Sequence, residues 1–310
     1  MLISVAIAAW NGADYLREAI DSVLAQTHQP LEIIVVDDGS TDHTAEVCRS
    51  YGDRVRYFYQ ENDGTNGAGA RAAAMHAASG EWIAILDQDD RWLPQKLERQ
   101  LAKLGEMPDA QMIFTGYRPI DKSGQAAGAS VQTTPEGDVF HLLLTVNPYC
   151  ASSALVKRTA VETFGLPEPR PGPADYELWL HLARHGKAAV VPECLTEYRT
   201  HAENYSASMT RLAEGVLELL KRQEGQLHPD CTLCRKSLRL GIKHFRELAA
   251  DAHLNKFHAD ARAGENSAAR ASLARAARLS PATVLSPRRS AAIIKNGLLS
   301  LARKRRHDES

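Results

Sequence analysis

Short apolar, β-rich runs alternate with helical spacings through the first hundred residues. Leu2–Ala9 is almost unbroken apolar chain and reads as a strand, Ala13–Ala25 carries apolar positions at three- and four-residue intervals, and Leu31–Val36 is a second strand. Thr41 or Asp42 can cap a helix running to about Ser50, after which Val55–Tyr59 is a third strand, Ala68–Ser79 a helix and Trp82–Leu86 a fourth strand. Strands that alternate with helices require right-handed crossovers, which predicts a parallel sheet covered on both faces. Ligands bind such sheets beyond the carboxyl ends of the strands. Those ends read Trp10-Asn11, Asp37-Asp38-Gly39-Ser40 and Asp87-Gln88-Asp89-Asp90.

Beyond Pro94 the pattern predicts a helix over Lys96–Leu104, a strand near Met112–Thr115 and a loop or ragged hairpin over 121–137. Helical spacing returns at Phe140–Thr145 and Arg158–Phe164. Four prolines within residues 167–173 form a stiff loop ahead of an acidic start, Ala174-Asp175-Tyr176-Glu177, to an apolar helix ending near Gly186. From Met209 onward the chain is mostly helical, with breaks at Gly225–Asp230, Gly264–Asn266 and Ser280–Pro287. The expected organisation is an α/β domain over 1–208 and a helical region with a basic tail over 209–310.

Charge sharpens that division. The net charge of −1 over 310 residues conceals 17 Lys and Arg against 28 Asp and Glu in residues 1–210, net −11, and 20 against 10 in residues 211–310, net +10. An acidic domain suits a metal-dependent site better than a nucleic-acid groove, because uncompensated carboxylates repel phosphates unless a cation intervenes. With 44% hydrophobic and 24% charged residues the composition is that of an ordinary folded protein and excludes collagen, a disordered chain and a disulfide scaffold. No apolar run approaches the roughly 20 residues that a bilayer span needs, and no basic leader precedes the first strand. Five scattered cysteines, an odd number, suit a reducing compartment.

The strand ends carry the candidate chemistry. In Asp87-Gln88-Asp89, an Asp-x-Asp leaving a buried strand, period-two geometry sends both carboxylates to one side, about 6–7 Å apart at the backbone and able to share a hydrated Mg²⁺ or Mn²⁺. Capping of the next helix is the plainer alternative, made less attractive by the second acidic pair, Asp37-Asp38, at another strand end. Carboxylates there can accept hydrogen bonds from base N–H groups or ribose hydroxyls. Neither a Gly-x-Gly-x-x-Gly after the first strand nor a P-loop is present, and Gly64–Gly69 follows the third strand as a flexible loop.

Ser4–Asn11, Tyr15–Thr27 and Glu32–Asp42, followed by Ala70-Arg71, Gly80–Asp90, Asp175–Leu180 and Tyr198–Ser206, together resemble family-two inverting glycosyltransferases over about residues 1–206. The resemblance implies the GT-A fold, a nucleotide-diphosphosugar donor, a divalent metal and inversion at the anomeric carbon. It places Ala8 and Trp10 along the base, Asp38 at the base's polar edge and Arg71 near the same nucleotide. It further places Asp87 at the ribose or sugar, Asp89 on the metal, Asp175 as the catalytic base and His201 at the diphosphate or metal. The chain departs from the family pattern at Ala8-Ala9-Trp10, where Trp10 keeps an aromatic face, at Ala72 and at Ala174, which leaves Asp175 without an acidic neighbour before Tyr176 and Glu177 as a fallback base.

The expected activity is therefore metal-dependent transfer of a sugar from a UDP- or dTDP-type donor to a saccharide or lipid-linked acceptor, in cell-surface polysaccharide or glycolipid synthesis at the cytoplasmic membrane face. Two rivals are a nucleotide-sugar sensor on the same fold, against which the intact acids argue, and a sugar nucleotidyltransferase, which needs a basic glycine-rich loop where this chain has Trp10-Asn11-Gly12-Ala13. In the basic region, Cys231-x2-Cys234 lacks a second pair and reads as packing cysteines. Residues 288–306 hold seven Lys and Arg, no acid and several apolar residues, as an anionic membrane surface would favour; the lack of an aromatic residue speaks against nucleic acid.

Overall fold

A computed structural model describes residues 1–132 and 134–286, and the stretch 288–306 lies outside them. The chain divides into two compact units, one spanning Met1–Asn204 and one starting at Tyr205. In the first, the elements run β1 (Ile3–Ala9), α1 (Ala13–Leu24), β2 (Leu31–Asp38), α2 (Thr44–Arg49), β3 (Arg56–Gln60), α3 (Ala68–His76), β4 (Trp82–Asp87) and β5 (Arg91–Trp92). They continue as α4 (Lys96–Lys103), β6 (Ala110–Ile120), α5 (Phe140–Leu143), β7 (Leu155–Lys157), α6 (Arg158–Phe164), α7 (Ala174–Ala183) and β8 (Lys187–Arg199).

All eight strands join one sheet in the order β3-β2-β1-β4-β7-β6-β8-β5. β1 to β4 pair in parallel, as their alternation with helices demands. The other half is mixed: β7 is antiparallel to both β4 and β6, β8 runs parallel to β6, and β5 closes the edge antiparallel to β8. Sequence patterning reveals β6, near Met112–Thr115, but not β5, β7 or β8. β7 has three residues and β5 two, too few to show a period, while Pro192-Glu193-Cys194 interrupts β8 where its ladder with β6 shifts register.

Period-two alternation decides what each face of the sheet meets. Ile3, Val5, Ile7 and Ala9 of β1 enter a core with Leu16, Ala19, Ile20 and Val23 of α1, Ile33 and Val35 of β2, and Trp82, Ala84 and Leu86 of β4. The opposite face carries smaller residues of β1, Ser4, Ala6 and Ala8. Against β1 and β2 on that side packs α3, whose buried positions are Ala68, Ala70, Ala74 and Met75. Small side chains on both partners set a close helix–sheet approach.

The second unit is helical: α8 (Met209–Gln223), α9 (Thr232–Ala263), α10 (Asn266–Leu279) and α11 (Pro281–Val284), with α9 packed on α8 and α10. The first two predicted breaks separate α8, α9 and α10, whereas α11 lies within the third, Ser280–Pro287. Cys231 caps α9 by accepting from the Cys234 amide at 3.2 Å, and Gly264 ends it at φ +88°, where a side chain would be strained. Ala250, Leu254 and Ala276 form one apolar contact between α9 and α10, and Phe257, Ala261 and Ala269 another.

Because Ala74 is fully buried where α3 meets the sheet, Ala74→Leu is expected to cost about 1–3 kcal/mol through overpacking. A lower urea midpoint at unchanged slope would show this; wild-type stability would mean that the interface has slack.

Candidate active site

The floor of the site follows from strand register. Ala8 of β1 lies opposite Val36 of β2 on one side and Asp87 of β4 on the other. All three share the face covered by α3, and Asp38, two residues beyond Val36, joins them. Asp38 and Asp87 thus flank the end of β1 from strands about 9–10 Å apart, with partly exposed Ala8 as a small step between them. From α3, Arg71 reaches down and its guanidinium donates to Asp87 at 2.7 Å. Asp38 is buried, and its carboxylate accepts from the amides of Gln60 at 2.7 Å and Asn62 at 3.3 Å. Asp37 points to the other face, where it accepts from the Ser40 amide and the Tyr57 hydroxyl.

Two loops frame this floor and are tied to each other. Gln88 points away from Asp87 and Asp89: it accepts from the Trp10 amide at 2.8 Å and donates to the Trp10 carbonyl at 3.0 Å. Gly12 permits that bridge, since a Cβ there would lie 2.1 Å from the Gln88 side-chain oxygen. Trp10 is left 55% exposed with an open ring face. Asn11 donates its amide to Ser40 and accepts from the Thr41 amide, fastening the same loop to the end of β2. Gly39 turns there at φ +79°, with the Asn62 backbone 2.8 Å from where a Cβ would sit.

The acidic turn after β4 is held from below. Asp90 is buried and accepts from the Arg199 amide at 2.8 Å and from Ser152, whose hydroxyl also accepts from the Asp87 amide at 3.0 Å. Burial first, and then the charges of Asp89 and Asp87, push Asp90 well above the ordinary carboxylate range. The Arg199 side chain is fully buried and uses its donors on the Asp89, Asp121 and Lys122 carbonyls and on Glu18, at 2.7–3.1 Å. Its guanidinium also lies over the Tyr15 ring at 4.7 Å. Glu18 further accepts from Arg91, which pairs with Glu197.

His201, just past β8, meets this turn. Its Nε2 is 2.8 Å from the Asp89 carboxylate, its Nδ1 is 2.8 Å from Glu203, and its ring stacks on Tyr15. The hydrogen bond to Asp89 is the main cause of a raised His201 pKa, with burial opposing it. Asn204 also donates to Asp89. A carboxylate oxygen and an imidazole nitrogen this close are donors that suit a hard or borderline divalent cation such as Mg²⁺ or Mn²⁺. Local charge agrees, since Arg71 faces Asp87, Asp89 and Asp175 at once.

Asp175 comes from the first turn of α7, delivered by the proline-rich loop. Burial raises its pKa; Arg71 opposes that rise and Asp87 adds to it. An open pocket between α3 and the loop, lined by Arg71, Met75, Pro167, Arg170, Glu177 and Leu178, lies alongside.

Of the residues expected from sequence, Arg71 comes within contact or electrostatic reach of Asp87, Asp89 and Asp175, and His201 meets Asp89, while Ala8, Trp10 and Asp38 line the β1–β2 side of the same sheet end. Gln88, Asp90, Ser152, Arg199 and Glu18 escape the sequence reading. Their partners lie 62–181 positions away, and a buried arginine has no pattern of its own; only the run Tyr198-Arg199-Thr200-His201 drew notice to this stretch.

Comparison with known proteins gives a consistent result. Residues 4–165 match the model of Glycosyl transferase family 2. An uncharacterised glycosyltransferase of Rickettsia typhi is 33% identical over 238 residues, covering 72% of this chain and 74% of that one. The chain is 32% identical over 210 residues to WfaP of Escherichia coli, a UDP-Glc:alpha-D-GlcNAc-diphosphoundecaprenol beta-1,3-glucosyltransferase, covering 67% of this chain and 80% of WfaP. Among solved structures, the mannosyltransferase PcManGT of Pyrobaculum calidifontis, in complex with GDP-Man and Mn²⁺, superposes with a TM-score of 0.60 at 22% identity, over 99% of this chain and 88% of that one. The fold is GT-A.

Removing the buried guanidinium takes a donor from the Asp89, Asp121 and Lys122 carbonyls and leaves Glu18 with Arg91. Arg199→Met is therefore expected to cost about 1–3 kcal/mol, measured by urea unfolding; a loss below about 0.5 kcal/mol would show that the turn is held by something else.

Proposed function

From the premise that this chain belongs to glycosyl transferase family 2, we propose that it transfers a sugar, with inversion, from a UDP- or dTDP-type nucleotide-diphosphosugar to a saccharide or lipid-linked acceptor. The product would be a cell-surface polysaccharide or glycolipid, made by a peripheral protein at the cytoplasmic membrane face. The observation that carries this reading is the cluster of Asp87, Asp89, His201 and Arg71 at one sheet end with Asp175 within its electrostatic reach. The named activity of WfaP, with its UDP-sugar donor and diphosphoundecaprenol acceptor, supports the donor type and the lipid-linked option.

In this reading the exposed Trp10 face and the small Ala8 receive the base. Asp38 accepts from the base's polar edge in place of its Gln60 or Asn62 amide. Arg71 steadies the nucleotide and orients Asp87, which accepts from ribose or sugar hydroxyls. Asp89 and His201 would hold Mg²⁺ or Mn²⁺, which when bound neutralises charge on the departing diphosphate. Asp175 takes the proton from the acceptor hydroxyl as that oxygen bonds to the sugar C1 and the C1–O bond to the diphosphate breaks. The proton ends on Asp175 and the bond's electron pair on the nucleoside diphosphate. One base and one cation complete the balance, and no nucleophile of the protein is consumed.

Calorimetry with UDP, with and without Mn²⁺, followed by a donor-hydrolysis assay, tests the reading: Mn²⁺-dependent binding with turnover is expected, and binding without hydrolysis or transfer would favour a sensor. Asp175→Asn is expected to lower kcat about 10²–10⁴-fold while leaving UDP affinity near that of wild type; normal turnover would refute the base assignment. Because a base acts only when deprotonated and burial raises Asp175, kcat should fall on acidification at a higher pH than an ordinary aspartate would give. A pH profile flat through that range would contradict this.

A further inference from the structure

Among the described residues, one face of α9 takes no part in the site or in the apolar packing of its own unit. Between Asp230 and Glu247 the sequence has no acidic residue, and Arg235, Lys236, Arg239, Lys243 and Arg246 are all exposed. At 3.6 residues per turn these five fall within an arc of about 100° along roughly 16 Å of helix. The ion pairs of this unit lie elsewhere, joining Glu214 to His253 and Arg275, Asp260 to Lys256 and Glu218 to Lys221. Among the described residues none of the five meets a carboxylate. Along one edge of the arc, one heptad apart, Leu233 and Leu240 are 51% and 50% exposed. The opposite side holds the buried Leu238, Gly241 and Phe245 that seat the helix in its unit.

We propose that this face of α9 docks the protein on an anionic lipid surface. The cations meet headgroup phosphates and the two leucines enter the headgroup–acyl boundary beside them, the arrangement of an interfacial helix. A nucleic acid fits less well, because the face exposes no Phe, Tyr or Trp ring for stacking and its leucines would gain nothing from a phosphate backbone. The residues of this face are not those of the basic stretch 288–306, which lies outside the described residues. Its charge and exposure stand without the proposed reaction, and only the choice of lipid over another polyanion draws on the lipid-linked acceptor.

The test is co-sedimentation of the full chain with vesicles of phosphatidylcholine, alone or mixed with phosphatidylglycerol. Wild type is expected to bind the mixed vesicles and to lose binding as salt rises. The variant R239Q/K243Q/R246Q, whose substitutions keep good helix formers, should bind about 100-fold more weakly, from about fivefold per charge. L233S/L240S should weaken the binding that persists at high salt. Circular dichroism and UDP affinity in Mn²⁺ should match wild type in both variants. Sedimentation of the triple variant like wild type, or binding of duplex DNA by a wild type that ignores the vesicles, would overturn the proposal. Absence of UDP binding in every protein, with vesicle binding lost in the triple variant, would overturn the donor assignment and leave the lipid surface standing.

Discussion

A buried guanidinium holds the turn that carries the site's carboxylates. Asp87, Asp89 and Asp90 crowd like charges into four residues, and the turn would open to separate them if solvent were the only partner. Arg199 prevents this from beneath: its side chain grips the Asp89 carbonyl and its amide grips the Asp90 carboxylate. Glu18 on α1 neutralises Arg199, so the first helix, the end of β4 and the end of β8 become one piece. A group that is costly to bury is tolerated because it is satisfied on several sides, and the effect is to fix Asp89 and, two residues past Arg199, His201 in facing positions.

Sheet geometry supplies the rest. Parallel strands place their carboxyl ends side by side, and period-two alternation sends Asp38, Ala8 and Asp87 to the same face. Helix α3 can bring Arg71 to that face because its contact with the sheet is made of alanines. Asp175 arrives on a separate helix behind four prolines, so its position relative to the strand ends is stiffly constrained. The acidic charge of residues 1–210 is, in the proposed reaction, the cost of using a cation in place of a lysine-rich phosphate cradle.

Much of this was legible in the sequence, and the reasons are physical. The four parallel strands and their helices have clean periods, and the acids stand where those periods stop. The breaks between the later helices coincide with glycine and proline, whose backbone preferences are local. What patterning misses depends on tertiary contact. β7 is too short to have a period, β8 is interrupted at Pro192, and Gln88 looks like a spacer between two aspartates until the Trp10 backbone is beside it. Arg199 shows no sign of burial in its own stretch of sequence, since its Glu18 partner is 181 residues away. The sequence marks Asp38 as an acceptor, but its burial and its engagement by Gln60 and Asn62 depend on residues 22 and 24 positions away.

In the proposed reaction, acids and an imidazole brought together by distant parts of the chain form one cation site at the end of β4. Anomalous diffraction at the manganese edge, from crystals grown with UDP and Mn²⁺, tests it most directly. The account predicts one strong peak between Asp89 and His201, with the nucleotide diphosphate beside it and Asp175 free of the metal. A peak at other side chains, or a bound UDP with no manganese near Asp89, would contradict it.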